Sequence, residues 1–147
     1  MYAWFSTDVT IRPDDIDLNN HVHNSRYVDF VLAARYDQMA RCYLMSMEEF
    51  VTMGFSWVNT ETYIQYRRPM RLGQTARVWT RISEFYPRSV RVEFRIDDAK
   101  TAKECCRGHQ MYTMVSTIDG RSVTIPDDIR QRYAILEQTE DNTDGAP

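Results

Sequence analysis

At 147 residues with 43% apolar and 27% charged side chains, the chain has the size and composition of one globular domain and is too hydrophobic for a disordered polymer. A net charge of −3 argues against a nucleic-acid groove as the main surface, although Arg67, Arg68 and Arg71 remain candidate anion contacts. Three cysteines, two of them adjacent, offer neither a paired disulfide framework nor a CxxC metal knuckle, which fits a reducing compartment.

The start, MYAWFSTDV, lacks the basic and apolar regions of a signal peptide, and no uncharged apolar run reaches the roughly 18 residues of a membrane span. A cytoplasmic protein without a membrane span is therefore expected. The first element reads as a short strand around Val9 and Ile11, closed by Pro13 and the turn formers Asp14 and Asp15. From Ser25 to Tyr43 the period becomes helical, with Tyr27, Phe30, Val31, Ala34 and Gln38 on one face. A second apolar line, Val28, Leu32, Tyr36, Met39 and Tyr43, runs around the other side, so the helix is expected to be buried on most of its circumference. Asp29, Arg35, Asp37 and Arg41 would keep its ends or one edge near water.

Strands are expected at Phe55 to Arg67 and at Ala102 to Thr117. Between them, Ala76, Val78, Thr80 and Ile82 alternate with Arg77, Trp79 and Arg81, and Val90, Val92, Phe94 and Ile96 alternate with Arg91, Glu93 and Arg95. Each of these two has one core face and one wet face. Of Cys105 and Cys106, alternation would place one in the core. A short strand near Val123 and Ile125 precedes a helix start at Pro126, with Ile129 and Tyr133 turned inward. Residues 1–137 form the expected single domain, and the acidic stretch 138–147 reads as a disordered tail. The long amphipathic sheet needs a cover, and the one long helix supplies it. The fold class is thus α+β, an antiparallel sheet wrapped around a central helix.

Between the first strand and the helix, most residues from Arg12 to Asn24 are Asp, Asn, His or Arg. A polar loop feeding a helix N-terminus offers unpaired N–H groups and the positive end of the dipole, which suit a developing oxyanion. A carboxylate there can attack a carbonyl or activate water. Taken singly, Asp and Asn before a helix are most often caps and Asx turns; their density here favours a site. A calcium loop on Asp15, Asp17 and Asn19 fails, because Asn20 stands where glycine is needed and Arg26 where a bidentate Glu belongs. Asp17, His21 and His23 match no standard metal spacing. Glu61 reads as a solvated strand residue and His109 as packing or surface.

The segment Asp15-x-Asp17-x-Asn19-x-His21-Val22-x-Asn24-x-x-Tyr27 resembles the signature of the 4-hydroxybenzoyl-CoA thioesterase family and of related acyl-CoA and acyl-ACP thioesterases. The likeness continues through Tyr66-Arg67-Arg68-Pro69 and Leu72-Gly73 to Ile125-Pro126; His23 departs from the usual Asn. The resemblance implies one hot dog domain that hydrolyses an acyl-CoA or acyl-ACP thioester, placing it in fatty acid or related acyl metabolism. It assigns Asp17 as catalytic carboxylate, nucleophile or general base, with Asn19 and His21 assisting and Asn24 where a helix amide polarises the carbonyl. It implies no metal, no organic cofactor, and a homodimer or homotetramer with the site near the interface; the absence of a nucleic-acid partner is expected from the charge balance alone. Two competitors share the fold. A hot dog hydratase carries a glycine before its Asp and a His five residues after it, where this chain has Ile16 and a spacing of four. A noncatalytic acyl-thioester binding protein is the other.

Overall fold

The computed structural model describes residues 1–137 and 145–147; the expected tail at 138–147 therefore lies largely outside the described residues. Five strands, β1 (Phe5–Thr10), β2 (Phe55–Tyr66), β3 (Thr75–Phe85), β4 (Ser89–Asp98) and β5 (Glu104–Ser116), form one sheet in the order β1-β3-β4-β5-β2, with antiparallel neighbours throughout. Helix α1 (Arg26–Arg41) packs against this sheet, joined by the short α2 (Met47–Thr52) and α3 (Asp127–Tyr133). This is the expected hot dog arrangement of sheet and central helix.

Alternation decides the two faces. Ala76, Val78, Thr80 and Ile82 of β3 and Val90, Val92, Phe94 and Ile96 of β4 are all buried. Removing one of the Val, Ile or Phe side chains among them from water stabilises by about 1.5–3 kcal/mol. On the opposite face Arg81 pairs with Glu93 and Arg77 with Asp8, exchanges that are worth little individually. At the middle of β5, Gly108 lies opposite both Ile64 and Phe94; a Cβ there would stand 1.9 Å from the Tyr63 carbonyl oxygen, so only glycine lets the strands close.

Several expectations need correction. The first strand runs from Phe5 and ends before Ile11. No strand forms at Val123 and Ile125: their amides bond to Met114 O and Pro87 O, and a single bridge joins Val115 to Ser122. Cys105 and Cys106 are both buried, because the β4–β5 register shifts beside them and breaks the alternation. Helix α1 is not covered all round: Leu32 is 46% and Tyr36 44% exposed. Conversely, Arg35 is not at a wet edge. It lies four residues from both Val31 and Met39 on the inward line and is buried with them.

The core divides along α1. Tyr27, Phe30, Val31 and Ala34 at its N-terminal half pack with Ile11, Val22, Val78 and Ile96. At the C-terminal end, Met39 and, just past the helix, Tyr43 join Phe50 of α2, Ile82, Val90 and Tyr133 of α3.

Candidate active site

The loop before α1 is built mainly from its own backbone. Ile16 and Val22 form an antiparallel bridge, and Asp17 N donates to His21 O at 2.8 Å. The tight reversal between them places Asn20 at φ +56°, a conformation that Asn tolerates better than most residues. Asp15 organises the entry: its Oδ2 accepts from Arg12 N at 2.8 Å and its carbonyl from His23 N at 2.8 Å. Met70, just ahead of β3, fixes the loop on the domain. Its carbonyl accepts from Val22 N at 2.8 Å, and its amide donates to the Tyr27 hydroxyl at 3.1 Å. Burial pushes the Tyr27 phenol up to about 12, so it remains a neutral acceptor.

Asp17 stands exposed at the tip of this frame. Its Oδ1 accepts from Asn19 N at 2.9 Å and from His21 N at 3.1 Å, while no hydrogen bond to Oδ2 forms among the described residues. The amides of His21 and Asn19 hold the carboxyl below its usual range, so the group is ionised near neutral pH. A carboxylate with one oxygen fixed and the other open is oriented for attack or for holding a water.

Asn19 and His21 thus meet Asp17 through main-chain amides. The His21 ring turns towards Arg71, whose Nη2 lies 3.3 Å from Nε2. Guanidinium can only donate, so Nε2 is the acceptor in this contact. Asn24 sits in the turn before α1, and its carbonyl accepts from the Tyr66 hydroxyl at 3.1 Å. His23 bonds the Ser25 hydroxyl at 2.8 Å and is spent locally. Sequence reasoning left out Met70, and gave Tyr66 and Arg71 no role here; sequence distance hides such partners, since they reach the loop only after β2 and the turn behind it fold back. Among the described residues, no group of three or more His, Cys, Asp or Glu side chains is arranged to hold a metal.

A cavity of about 170 Å³ opens at the other end of α1, lined by Leu32, Arg35 and Met39 of the helix, Val51 of α2, Trp57 of β2 and Val90 of β4. Its walls are mostly apolar, as in pockets that take small organic groups.

Residues 11–133 match the model of the thioesterase-like superfamily. The chain belongs to that superfamily. Membership supports thioester hydrolysis as the general chemistry. Among solved structures, a hypothetical protein from Thermus thermophilus is 23% identical, with 90% of this chain and 98% of that chain covered at a TM-score of 0.82. The DHNA-CoA thioesterase of Staphylococcus aureus is 14% identical, with 88% of each chain covered and a TM-score of 0.82. A second, hypothetical S. aureus protein, solved in complex with CoA, is 15% identical over 97% of this chain and 92% of its own, at a TM-score of 0.80. At such identities the likeness speaks for the fold. No curated protein matches the sequence.

Proposed function

We propose that this superfamily member is an acyl-CoA thioesterase in which Asp17 acts on the thioester carbonyl. The observation that carries the reading is the Asp17 carboxylate itself: ionised, anchored through Oδ1 by two backbone amides, and open at Oδ2 a few residues before the N-terminus of α1. Two routes fit it. In one, Oδ2 attacks the carbonyl carbon, the thiolate leaves with a proton from water, and water then hydrolyses the mixed anhydride. In the other, the carboxylate takes a proton from a water that attacks directly. Both build negative charge on the carbonyl oxygen, and the Asn24 amide with the first turn of α1 supplies donors for it. Such a donor is worth about 3–4 kcal/mol in the transition state. His21, held by Arg71, positions the loop in this scheme, and Asn19 provides one of the two anchoring amides.

The acyl donor in this reading is CoA, with acyl carrier protein as the alternative, and the location is cytoplasmic. Among the described residues no helix is long and apolar enough to cross a membrane. The assembly is a homodimer, or a tetramer made of two, because β2 leaves a strand edge unpaired while Leu32, Tyr36, Val51 and Met53 expose apolar surface beside it. A second copy covering that side would also shield the reaction from bulk water. The exposure of Asp17 in the single chain favours one other reading, a noncatalytic acyl-thioester binder on the same fold.

Thiol release from a panel of acyl-CoAs, measured with and without EDTA, tests the proposal together with light scattering. Turnover unaffected by the chelator, by a dimer or tetramer, is expected. Tight acyl-CoA binding without any thiol release would establish the binder instead, and a monomer at micromolar concentration would remove the interface.

A further inference from the structure

Arg35 is a buried cation, 7% exposed, that pairs with no carboxylate among the described residues. Its Nη1 donates to Thr80 Oγ1 at 3.3 Å, and its guanidinium lies 5.4 Å from the centre of the Tyr43 ring. Thr80 in turn spends its proton on Gln38 Oε1, so the Thr80 hydroxyl remains neutral. Burial opposes the charge on Arg35, but a guanidinium does not give up its proton inside a protein. The guanidinium is therefore charged at any pH the protein meets. Close by, the Tyr133 hydroxyl is buried without a hydrogen-bond partner; the Trp57 indole lies beside it but outside bonding geometry. Buried charges are paired in folded proteins, because an isolated one forfeits its hydration for no return.

The cavity that Arg35 lines gives that charge a place to be met. At about 170 Å³ it exceeds the roughly 150 Å³ in which a protein interior holds a benzene ring, so a short aliphatic or aromatic group fits. Leu32, Met39, Val51 and Trp57 supply apolar walls. A phosphate would bring more negative charge than one guanidinium offsets in such surroundings, whereas a carboxylate balances it one to one and matches its planar fork.

We propose that this cavity is an acyl-tail pocket selective for a terminal carboxylate, with Arg35 as the residue that reads the charge. The thioester substrate is then an ω-carboxyacyl thioester: the apolar walls hold the methylene chain, and the far carboxylate accepts hydrogen bonds from Arg35. The identity of the pocket's occupant as substrate rests on the thioesterase reading; its preference for a carboxylate does not.

Two measurements separate the claims. Calorimetric titration of the wild-type protein with hexanoate and its uncharged isostere hexanamide should show hexanoate binding at least about tenfold tighter, the lower edge for a buried, hydrogen-bonded charge pair. Arg35→Met should erase that preference while still taking hexanamide, and Arg35→Lys, which keeps the charge without the fork, should retain part of it. For turnover, succinyl-, adipoyl- and sebacyl-CoA are set against butyryl-, hexanoyl- and decanoyl-CoA of equal carbon number. At least one carboxyl-ended member should exceed its methyl-ended twin about tenfold in kcat/KM, with the order reversed in Arg35→Met.

Equal wild-type affinity for hexanoate and hexanamide overturns the proposal, as does a hexanoate preference that survives Arg35→Met. Should Arg35→Met fail to fold, the wild-type ratio and Arg35→Lys still decide. Hydrolysis that favours the methyl-ended thioesters sinks the pocket assignment and leaves the thioesterase standing. An Arg35-dependent hexanoate preference without hydrolysis of any thioester does the reverse. If hexanoate does not bind and Arg35→Met instead dissociates the oligomer, a carboxylate of a second copy neutralises Arg35 and the proposal is wrong.

Discussion

The two ends of α1 handle charge in opposite ways. At the N-terminal end Asp17 is fully solvated, and its orientation comes from two backbone amides, so keeping it ionised costs almost no desolvation. Nine residues into the helix, about 14 Å along its axis, Arg35 is stripped of water inside an aromatic shell of Tyr43, Tyr112 and Tyr133. A group that must react benefits from an open side and a fixed lone pair. A group that must discriminate gains from desolvation, because a wrong partner then leaves a bare charge behind. In the proposed reading, the loop that leads into α1 is thus a reactive pole and the C-terminal half of the helix a selective one, and the helix packs each half against its own section of the core.

The strongest way to break this contrast is Asp17→Asn. Size and most hydrogen bonding persist, so the thermal midpoint should stay put while kcat on the best acyl-CoA falls by at least about a hundredfold, the lower range for acid–base catalysis. Near wild-type turnover, or loss that only tracks unfolding, would strip the N-terminal pole of its chemistry.

The aromatic pole is probed by Tyr133→Phe. Deleting a buried hydroxyl that lacks a partner should stabilise the protein by about 1–3 kcal/mol in chemical denaturation. A loss of stability would mean that the phenol has a donor after all, with the Trp57 indole the first suspect, and that this end is less starved of polar partners than its geometry indicates.

A smaller effect is expected from Ser46→Ala. Ser46 caps α2 by accepting from Glu49 N at 3.2 Å, and α2 supplies Phe50 to the core and Val51 to the cavity wall. The denaturant midpoint should fall by the equivalent of about 1 kcal/mol. An unchanged midpoint would show that packing of Phe50 alone keeps this short helix in place.

The mildest test is acidification. With its folded-state pKa held below the ordinary 3.8, Asp17 stays a carboxylate until pH falls through that depressed value; the stability its backbone bonds lend is whole above 3.8, erodes below it as the unfolded chain takes up a proton, and is gone below the folded-state value. The part of kcat/KM that depends on Asp17, obtained by comparison with Asp17→Asn, should therefore be flat from neutral pH down to about 5. An acid limb centred higher would mean that the assembled protein desolvates this carboxylate, drawing the two poles closer in character.

How far these poles were legible beforehand follows from the range of the interactions that make them. Local signals carried well: the 3.6-residue period placed the helix at 25–43 against the observed Arg26–Arg41, and strict alternation located β3 and β4. The polar loop announced itself by composition, and the bond from Asn19 N to Asp17 Oδ1 is the Asx turn weighed for this segment; the second bond, from His21 N, shows only in the folded loop. Helix α2 escaped because six residues with one buried side chain, Phe50, leave no measurable period. The exposure of Leu32 and Tyr36 escaped because periodicity reports which residues are apolar, not whether this chain or another surface covers them. Arg35 was misread for the complementary reason. Charge usually marks the wet side, and only tertiary packing against Thr80 and the tyrosines shows it turned inward.

The loop's construction from main-chain bonds has a consequence for how the protein can change. Asp17 is aimed by the amides of Asn19 and His21, and every residue except proline brings an amide. The Asn19 side chain is therefore decoupled from the aiming of the carboxylate, whereas the His21 ring also ties the loop to Arg71. In the proposed reading, position 19 is an interchangeable fitting on a fixed mount, where new contacts to a different thioester can be tried without misaligning Oδ2.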